Sequence, residues 1–355
     1  MKHIARVAAV VIAMLAIAIT NCYAQQHRWL LALSKNNHTL AMVDPATLKV
    51  VATMPVGTDP HEVIASADGK TAYVTIYGGG SLHEINVLDL VARKALPTID
   101  TRPLFGPHGI DFQNNKVWFT AEGSKAVGSY DPPTGKLDWS MGTGQDRTHM
   151  IYITPDGKNI YTTNVSSGTV SILHLGPVQQ RMPPPPNGNQ LPPGANQPPP
   201  GGGGGPREGW EQTVIPTSPG SEGFDVSPDG KWLWTASAED GMISIIDLQA
   251  KKLAAKVDAK TFGANRVKFT PDGKQVFITS LSNGTLFIYD AATQKEVKHI
   301  TVGHGAAGIL MDAPNNRAFV ACSADNYIAV VDLKTLEVIT HFDVGGVPDG
   351  MAWAE

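Results

Sequence analysis

The sequence predicts an all-β chain closed into a seven-bladed β-propeller of four-stranded antiparallel blades. Three observations predict it. A unit of four short strands recurs, and the anchor residues that open each unit (His61, His108, His149, Glu222, Asn265, Ala307 and Asp349) are spaced by 47, 41, 73, 43, 42 and 42 residues. The two ends of the chain carry complementary fractions of one unit. No stretch of the repeat has helical periodicity.

Residues 1–24 precede the repeat. Lys2, His3 and Arg6 lead into an apolar run from Val7 to Ile19, then small and polar residues to Ala24. This is the pattern of a cleavable signal peptide, too short to span a membrane, and it predicts a periplasmic or secreted protein with no transmembrane segment in the mature chain. Lipid anchoring at Cys22 is the lesser alternative, because Asn21 is a poor match to the small residue such sites prefer. Residues 25–355 then form one domain.

Within each unit a short apolar strand runs into a turn such as Asp68-Gly69-Lys70, Asp156-Gly157-Lys158, Asp229-Gly230-Lys231 or Asp272-Gly273-Lys274. A second strand follows, rich in aromatic and β-branched residues: Tyr73-Val74-Thr75, Trp118-Phe119-Thr120, Tyr161-Thr162-Thr163, Leu233-Trp234-Thr235, Phe277-Ile278-Thr279 and Phe319-Val320-Ala321. The third strand ends in an acid (Asp89, Asp131, Asp247, Asp290, Asp332) suited to accept hydrogen bonds from turn amides. A more polar fourth strand closes the unit. After Asp349 only one strand remains, while Trp29–Leu33, Thr39–Asp44 and Val50–Val56 lack a first strand, so pairing the C-terminal strand with the N-terminal three closes the ring and removes a sheet edge.

The gap of 73 residues holds a Pro/Gly-rich insertion at 177–208, with Pro183–Pro186, Pro198–Pro200 and Gly201–Gly205. Its composition cannot bury enough apolar surface to offset its ordering entropy. It interrupts the third-to-fourth strand connection of one blade and should leave on the face opposite the histidines.

The whole chain has 42% hydrophobic and 17% charged residues, with Lys plus Arg at 28 against 32 for Asp plus Glu. A slightly acidic balance of −4 disfavours phosphate-driven nucleic-acid binding as the main task. With two cysteines, one of them in the leader, Cys322 is expected alone and buried.

The order Pro-Asp-Gly-Lys, then Tyr-Val-Thr, then a strand ending in Asp resembles the YVTN repeat of YncE-like seven-bladed propellers, best seen from His61-Glu62-Val63 through Tyr73-Val74-Thr75. The resemblance covers nearly all of 27–355 outside the insertion. It implies the fold and export, and it embraces lactonases, the haem d1 domains of nitrite reductases and a copper domain of nitrous oxide reductase. The blade from Gly106-Pro107-His108 to Trp118-Phe119-Thr120-Ala121-Glu122 is also similar to streptogramin lyases.

Because inner strands all start at one face, the seven anchors are predicted to ring the mouth of the central channel. Arg147 and Arg266 flank them, and Tyr77, Glu122, Asn164, Ser237 and Ser280 arrive from the other loops of that face, with His304 nearby. Three imidazoles and a carboxylate (His61, His108, His149, Glu222) suit a divalent transition metal such as Zn²⁺, Cu or Fe. The mouth as a ligand site comprises these four with Arg147, Arg266, Glu122, Asn164 and Asp349. The same His and Glu residues could serve as base and acid in a lactonase or lyase, with no catalytic residue singled out. A duplicated histidine on a polar, water-filled rim gives the same pattern without a ligand. A third option is a scaffold that binds a protein through its broad face or through the proline-rich insertion.

Overall fold

The computed structural model describes residues 28–178 and 207–355. The expected leader, Cys22 and residues 179–206 of the expected insertion lie outside the described residues. Among the described residues, twenty-eight strands form seven four-stranded antiparallel sheets, with three single-turn 3-10 segments between them. Blade 1 is the closing blade. Its inner strand is Pro348–Ala354, paired to Trp29–Ser34 from the other end of the chain through Trp29↔Ala354, Leu30↔Trp353 and Leu31↔Ala352. The inner strands of blades 2 to 7 are Pro60–Ala65, Pro107–Gln113, Thr148–Ile153, Ser221–Val226, Ala264–Phe269 and Ala306–Asp312.

Alternation of side chains along each strand sends them to the two neighbouring blades. Seven separate apolar clusters result, one at each blade–blade interface. Phe277 and Phe319, which share the third position of the second strand, and Phe119 at the fourth position of its own are fully buried in three of them. The predicted turn chemistry is present. Asp68 Oδ1 accepts from the Ser66 hydroxyl at 2.7 Å and from the Lys70 amide at 3.2 Å, and Asp89 Oδ1 accepts from the Val91 and Ala92 amides at 2.9 and 2.8 Å.

Two expectations shift. The anchors were placed just before the first strand, but each is its second residue, within a stretch where the ladder slips before regular pairing resumes, as between Pro60 and Val63. The slip leaves backbone groups unpaired, and a threonine of the second strand supplies their partner. The Thr75 hydroxyl accepts from the Glu62 amide at 3.1 Å and donates to the His108 carbonyl of the next blade at 2.7 Å. Thr120 does the same between the Gly109 amide and the His149 carbonyl at 2.8 and 2.5 Å. Thr163 reaches the Glu222 carbonyl and Thr279 the Ala307 carbonyl at 2.5 and 2.7 Å. The last residue of the Tyr-Val-Thr tripeptide is therefore a clasp between blades. In blade 5 the aligned tripeptide is Trp234-Thr235-Ala236, one residue later than the sequence reading, so Ala236 stands at the clasp position.

The second shift concerns the insertion. The ladder of Thr169–Val178 with Arg207–Pro216 continues to Pro177↔Glu208 and Val178↔Arg207, so residues 177, 178, 207 and 208 belong to strands. Packing extends it: Trp210 lies against Trp139 with ring centroids 5.1 Å apart. The Asn164↔Thr169 pair sits beside Thr148 at the mouth, so Val178 and Arg207 end at the opposite face. Among the described residues no helix is long and apolar enough to cross a membrane.

Candidate functional site

Two rings of residues meet at the mouth. The first is the anchors. The second is the residue directly after each second strand: Lys35, Tyr77, Glu122, Val165, Ala238, Leu281 and Ser323. Asn164, Ser237 and Ser280, expected in this ring, are its predecessors and stay inside their blades. Asn164 is fully buried, its carbonyl accepting from the Thr148 hydroxyl at 3.0 Å and its amide donating to Ser171 Oγ at 2.9 Å. His304 remains exposed on the rim, hydrogen-bonded to Asp325.

One further position feeds the mouth. The residue before every inner strand has a left-handed backbone: Gly106, Gly220, Gly263 and Gly305, but also Asp59, Arg147 and Val347 with φ of 60°, 53° and 55°. That conformation crowds any Cβ, and a β-branched residue most of all. All three exceptions stand at the mouth. Asp59 holds His61, Arg147 contacts Glu122 and Glu222, and Val347 lines the cavity.

The imidazoles converge. His61 and His108 have ring centroids 4.6 Å apart, His108 and His149 only 3.8 Å. Glu122 Oε1 bonds His149 Nδ1, and the Tyr77 hydroxyl donates to Oε2, with the Arg147 guanidinium 3.7 Å away. Burial pushes the Glu122 carboxyl up, but these bonds and Arg147 outweigh it and hold the group below its ordinary value. An ionised Glu122 only accepts, so His149 Nδ1 is the donor and a neutral ring keeps its lone pair on Nε2. His108 is 2% exposed, and its Nδ1 is buried with no hydrogen-bond partner among the described residues. Burial first, then the neighbouring imidazoles and cations, hold its pKa well below the ordinary value. The ring is therefore neutral with unused coordination capacity. One ligand atom each from His108, Glu122 and His149 lies within 4.8 Å of the others, a spacing compatible with a metal ion.

His61 differs. Lys35 Nζ lies 3.2 Å from Nδ1, and lysine only donates, so Nδ1 accepts and Nε2 carries the proton given to Asp59 Oδ1 at 3.0 Å. Burial and Lys35 lower its pKa to about 4. Both nitrogens are occupied, which removes His61 from the expected metal set. Glu222 leaves it on position, since among the described residues the carboxylate with ligand spacing to His108 and His149 is that of Glu122. Its carboxylate accepts from Asn265 Nδ2 at 2.7 Å and from Arg147 at 3.4 Å. The carboxylate that joins the histidines is Glu122.

Across the mouth the charges pair off. Lys35 donates to Asp349 at 3.0 Å, and burial of Asp349 is outweighed by Lys35 and Arg266, which keep it ionised. Arg266 crosses the channel to Glu62, a residue the sequence reading missed, and bonds Asn265 at 3.2 Å. The mouth cavity measures about 360 Å³. Lys35, Arg266, Glu222 and Asp349 line it, and behind them Asp59, Glu62, Glu122 and Arg147 pair with His61, Arg266, His149 and Glu222, which makes five carboxylates and three fixed cations among the described residues of the mouth. Cys322 is buried as expected, its thiol pushed up to about 12 by that burial.

No family model matches the chain, and no curated protein matches its sequence. Solved structures share the fold. A protein of unknown function from Desulfotomaculum acetoxidans superposes with a TM-score of 0.69 at 13% identity, over 92% of this chain and 98% of that one. A candidate 6-phosphogluconolactonase of Bacteroides fragilis gives 0.70 at 14% identity, over 94% and 99%. Hydrazine synthase of Kuenenia stuttgartiensis gives 0.63 at 16%, over 83% and 89%. At such identities the likeness establishes the seven-bladed fold, with lactonase-like neighbours.

Proposed function

We propose that this is an exported, YVTN-type propeller whose channel mouth binds a divalent transition-metal ion through His108, His149 and Glu122. The carrying observation is the buried, unpartnered Nδ1 of His108 inside a cluster of metal-ligand spacing. An imidazole with no proton partner is a poor core residue and a good ligand. The excess of carboxylates over cations supports a cationic occupant over an anionic one. Glu122 orients His149, and Tyr77 and Arg147 orient Glu122. When bound, the ion would supply Lewis acidity at the channel axis. The leader at 1–24 supports export.

Metal titration of protein purified without an affinity tag tests this. One equivalent of Zn²⁺ or Cu²⁺ should bind, raising stability by about 2.7 kcal/mol at a hundred times Kd. Glu122→Gln should weaken binding about a hundredfold, while Glu222→Gln changes it little. No metal-dependent rise in melting temperature would remove the metal reading, and the reverse ranking of the two variants would remove the ligand assignment.

The His149–Glu122 pair favours a second reading, ester or lactone hydrolysis with His149 Nε2 as general base. The net-negative mouth then selects neutral lactones over phosphorylated ones. Turnover of a neutral lactone by metal-free protein, abolished by His149→Ala, would establish it.

A further inference from the structure

Below the mouth the channel holds a second cavity of about 370 Å³. Arg266 lines both, and its bond to Glu62, from blade 6 to blade 2, lies between them. The lower cavity is two-faced. The fifth residues of the inner strands of blades 3 to 6 contribute Asp111, Tyr152, Asp225 and Lys268, whereas blades 7, 1 and 2 contribute Leu310, Ala352 and Ile64.

Its charges do not cancel. Glu62 is matched by Arg266, and Asp225 by Lys268 Nζ at 3.2 Å. Asp111 remains. It accepts from the Phe112 and Ile153 amides at 2.7 and 2.8 Å, the second bond reaching into the next blade, but no cation stands within ion-pair distance among the described residues. Burial raises its pKa to about 6, against the two amide bonds and Lys268, which acts from beyond ion-pair distance; all three favour the charged form. Phe224 and Tyr152 add aromatic residues, a type that attracts organic ammonium groups, to the lining.

We propose that this cavity binds a small organic cation, an alkylammonium or quaternary ammonium whose charge pairs with Asp111 and whose apolar body lies against Leu310, Ile64 and Phe224. The site is independent of the metal reading, and either can fail alone.

The test is calorimetric titration of the tag-free, metal-free chain with n-butylammonium, n-butanol and butanoate. Butylammonium should bind at least tenfold more tightly than butanol, and butanoate not at all. Asp111→Asn should erase the preference for the cation while leaving metal binding at the mouth unchanged. Leu310→Phe narrows the apolar half without touching the Asp111 bonds and should weaken butylammonium binding by a similar factor. It carries the test if Asp111→Asn does not fold. Equal affinity for butanol and butylammonium, no binding of either, or full binding by Leu310→Phe would each overturn the proposal.

Discussion

The two walls of the mouth are built from the same repeat positions, yet one is saturated and the other is not. On the wall from blades 1, 2, 5 and 6, Lys35, Asp349, Glu62, Arg266, Glu222 and Asn265 satisfy one another, and His61 has both nitrogens engaged. On the wall from blades 3 and 4, His108 Nδ1 has no hydrogen-bond partner among the described residues, and His149 is held through Nδ1 by Glu122. Counting titratable residues would rank the first wall as the site. Counting unspent valences selects the second, because an uncommitted ring nitrogen can coordinate an ion without first giving up a partner.

If the first wall is locked, breaking it should be costly. Arg266→Met strands Glu62 in the channel, and loss of one partner of a buried pair costs about 3 kcal/mol in urea or thermal unfolding. Arg147→Met, at an arginine 43% exposed, should cost less than about 1 kcal/mol. Similar losses for the two would erase the distinction between the walls.

The histidines sharpen it through pH. His61 and His108 have folded pKa values below the unfolded 6.5, so the unfolded chain binds more protons between that value and the folded ones. Stability should be full above pH ~6.5 and fall as pH drops toward the value of about 4 for His61. Glu122 and Asp349, held low, act in the same direction, whereas Glu62 and Asp111, raised by burial, oppose them. His61→Gln keeps a neutral polar group there and should flatten the melting-temperature profile across this window. An unchanged slope would mean that His61 is not neutral in the fold.

Much of this was legible in the sequence. The blade count, the closure and the convergence of His61, His108 and His149 follow from spacing alone, since a circular fold brings equal repeat positions to one opening. The partners were less legible. The Thr-rich runs Tyr161-Thr162-Thr163-Asn164 and Trp234-Thr235 hide which threonine is the clasp, and the slip of one residue put Asn164, Ser237 and Ser280 where Val165, Ala238 and Leu281 stand. Lys35 was missed although Trp29–Leu33 is read as a second strand: the observed strand runs one residue further, to Ser34, and Lys35 is the residue that follows it. The choice of Glu122 over Glu222 depends on Arg147 and Asn265, which bind Glu222 sideways along the rim, a competition that spacing does not encode.

The clasp is smaller in effect but tests what positions the histidines. Thr120→Val keeps the shape and removes a hydroxyl serving the Gly109 amide and the His149 carbonyl, which should cost about 1–2 kcal/mol. Blades 1, 5 and 7 have Leu33, Ala236 and Ala321 at this position, so the clasp is not required at every junction, the one before His61 included. Unchanged stability and metal affinity in Thr120→Val would make it dispensable here as well.

The left-handed residues give the smallest and most discriminating contrast. Four blades place glycine before the inner strand, and three accept strain to place Asp59, Arg147 and Val347 at the mouth. Relief of that strain by Val347→Gly, set against the greater backbone freedom glycine gives the unfolded chain, should stabilise the protein by about 1 kcal/mol. Val347 lines the saturated side of the cavity and touches none of the metal cluster, so metal affinity should hold. Arg147→Gly relieves the same backbone but frees Glu122 and Glu222, and should gain stability while losing metal affinity. If Val347→Gly loses affinity as well, the occupant fills the whole mouth, and the division between the walls is one of electrostatics and not of binding.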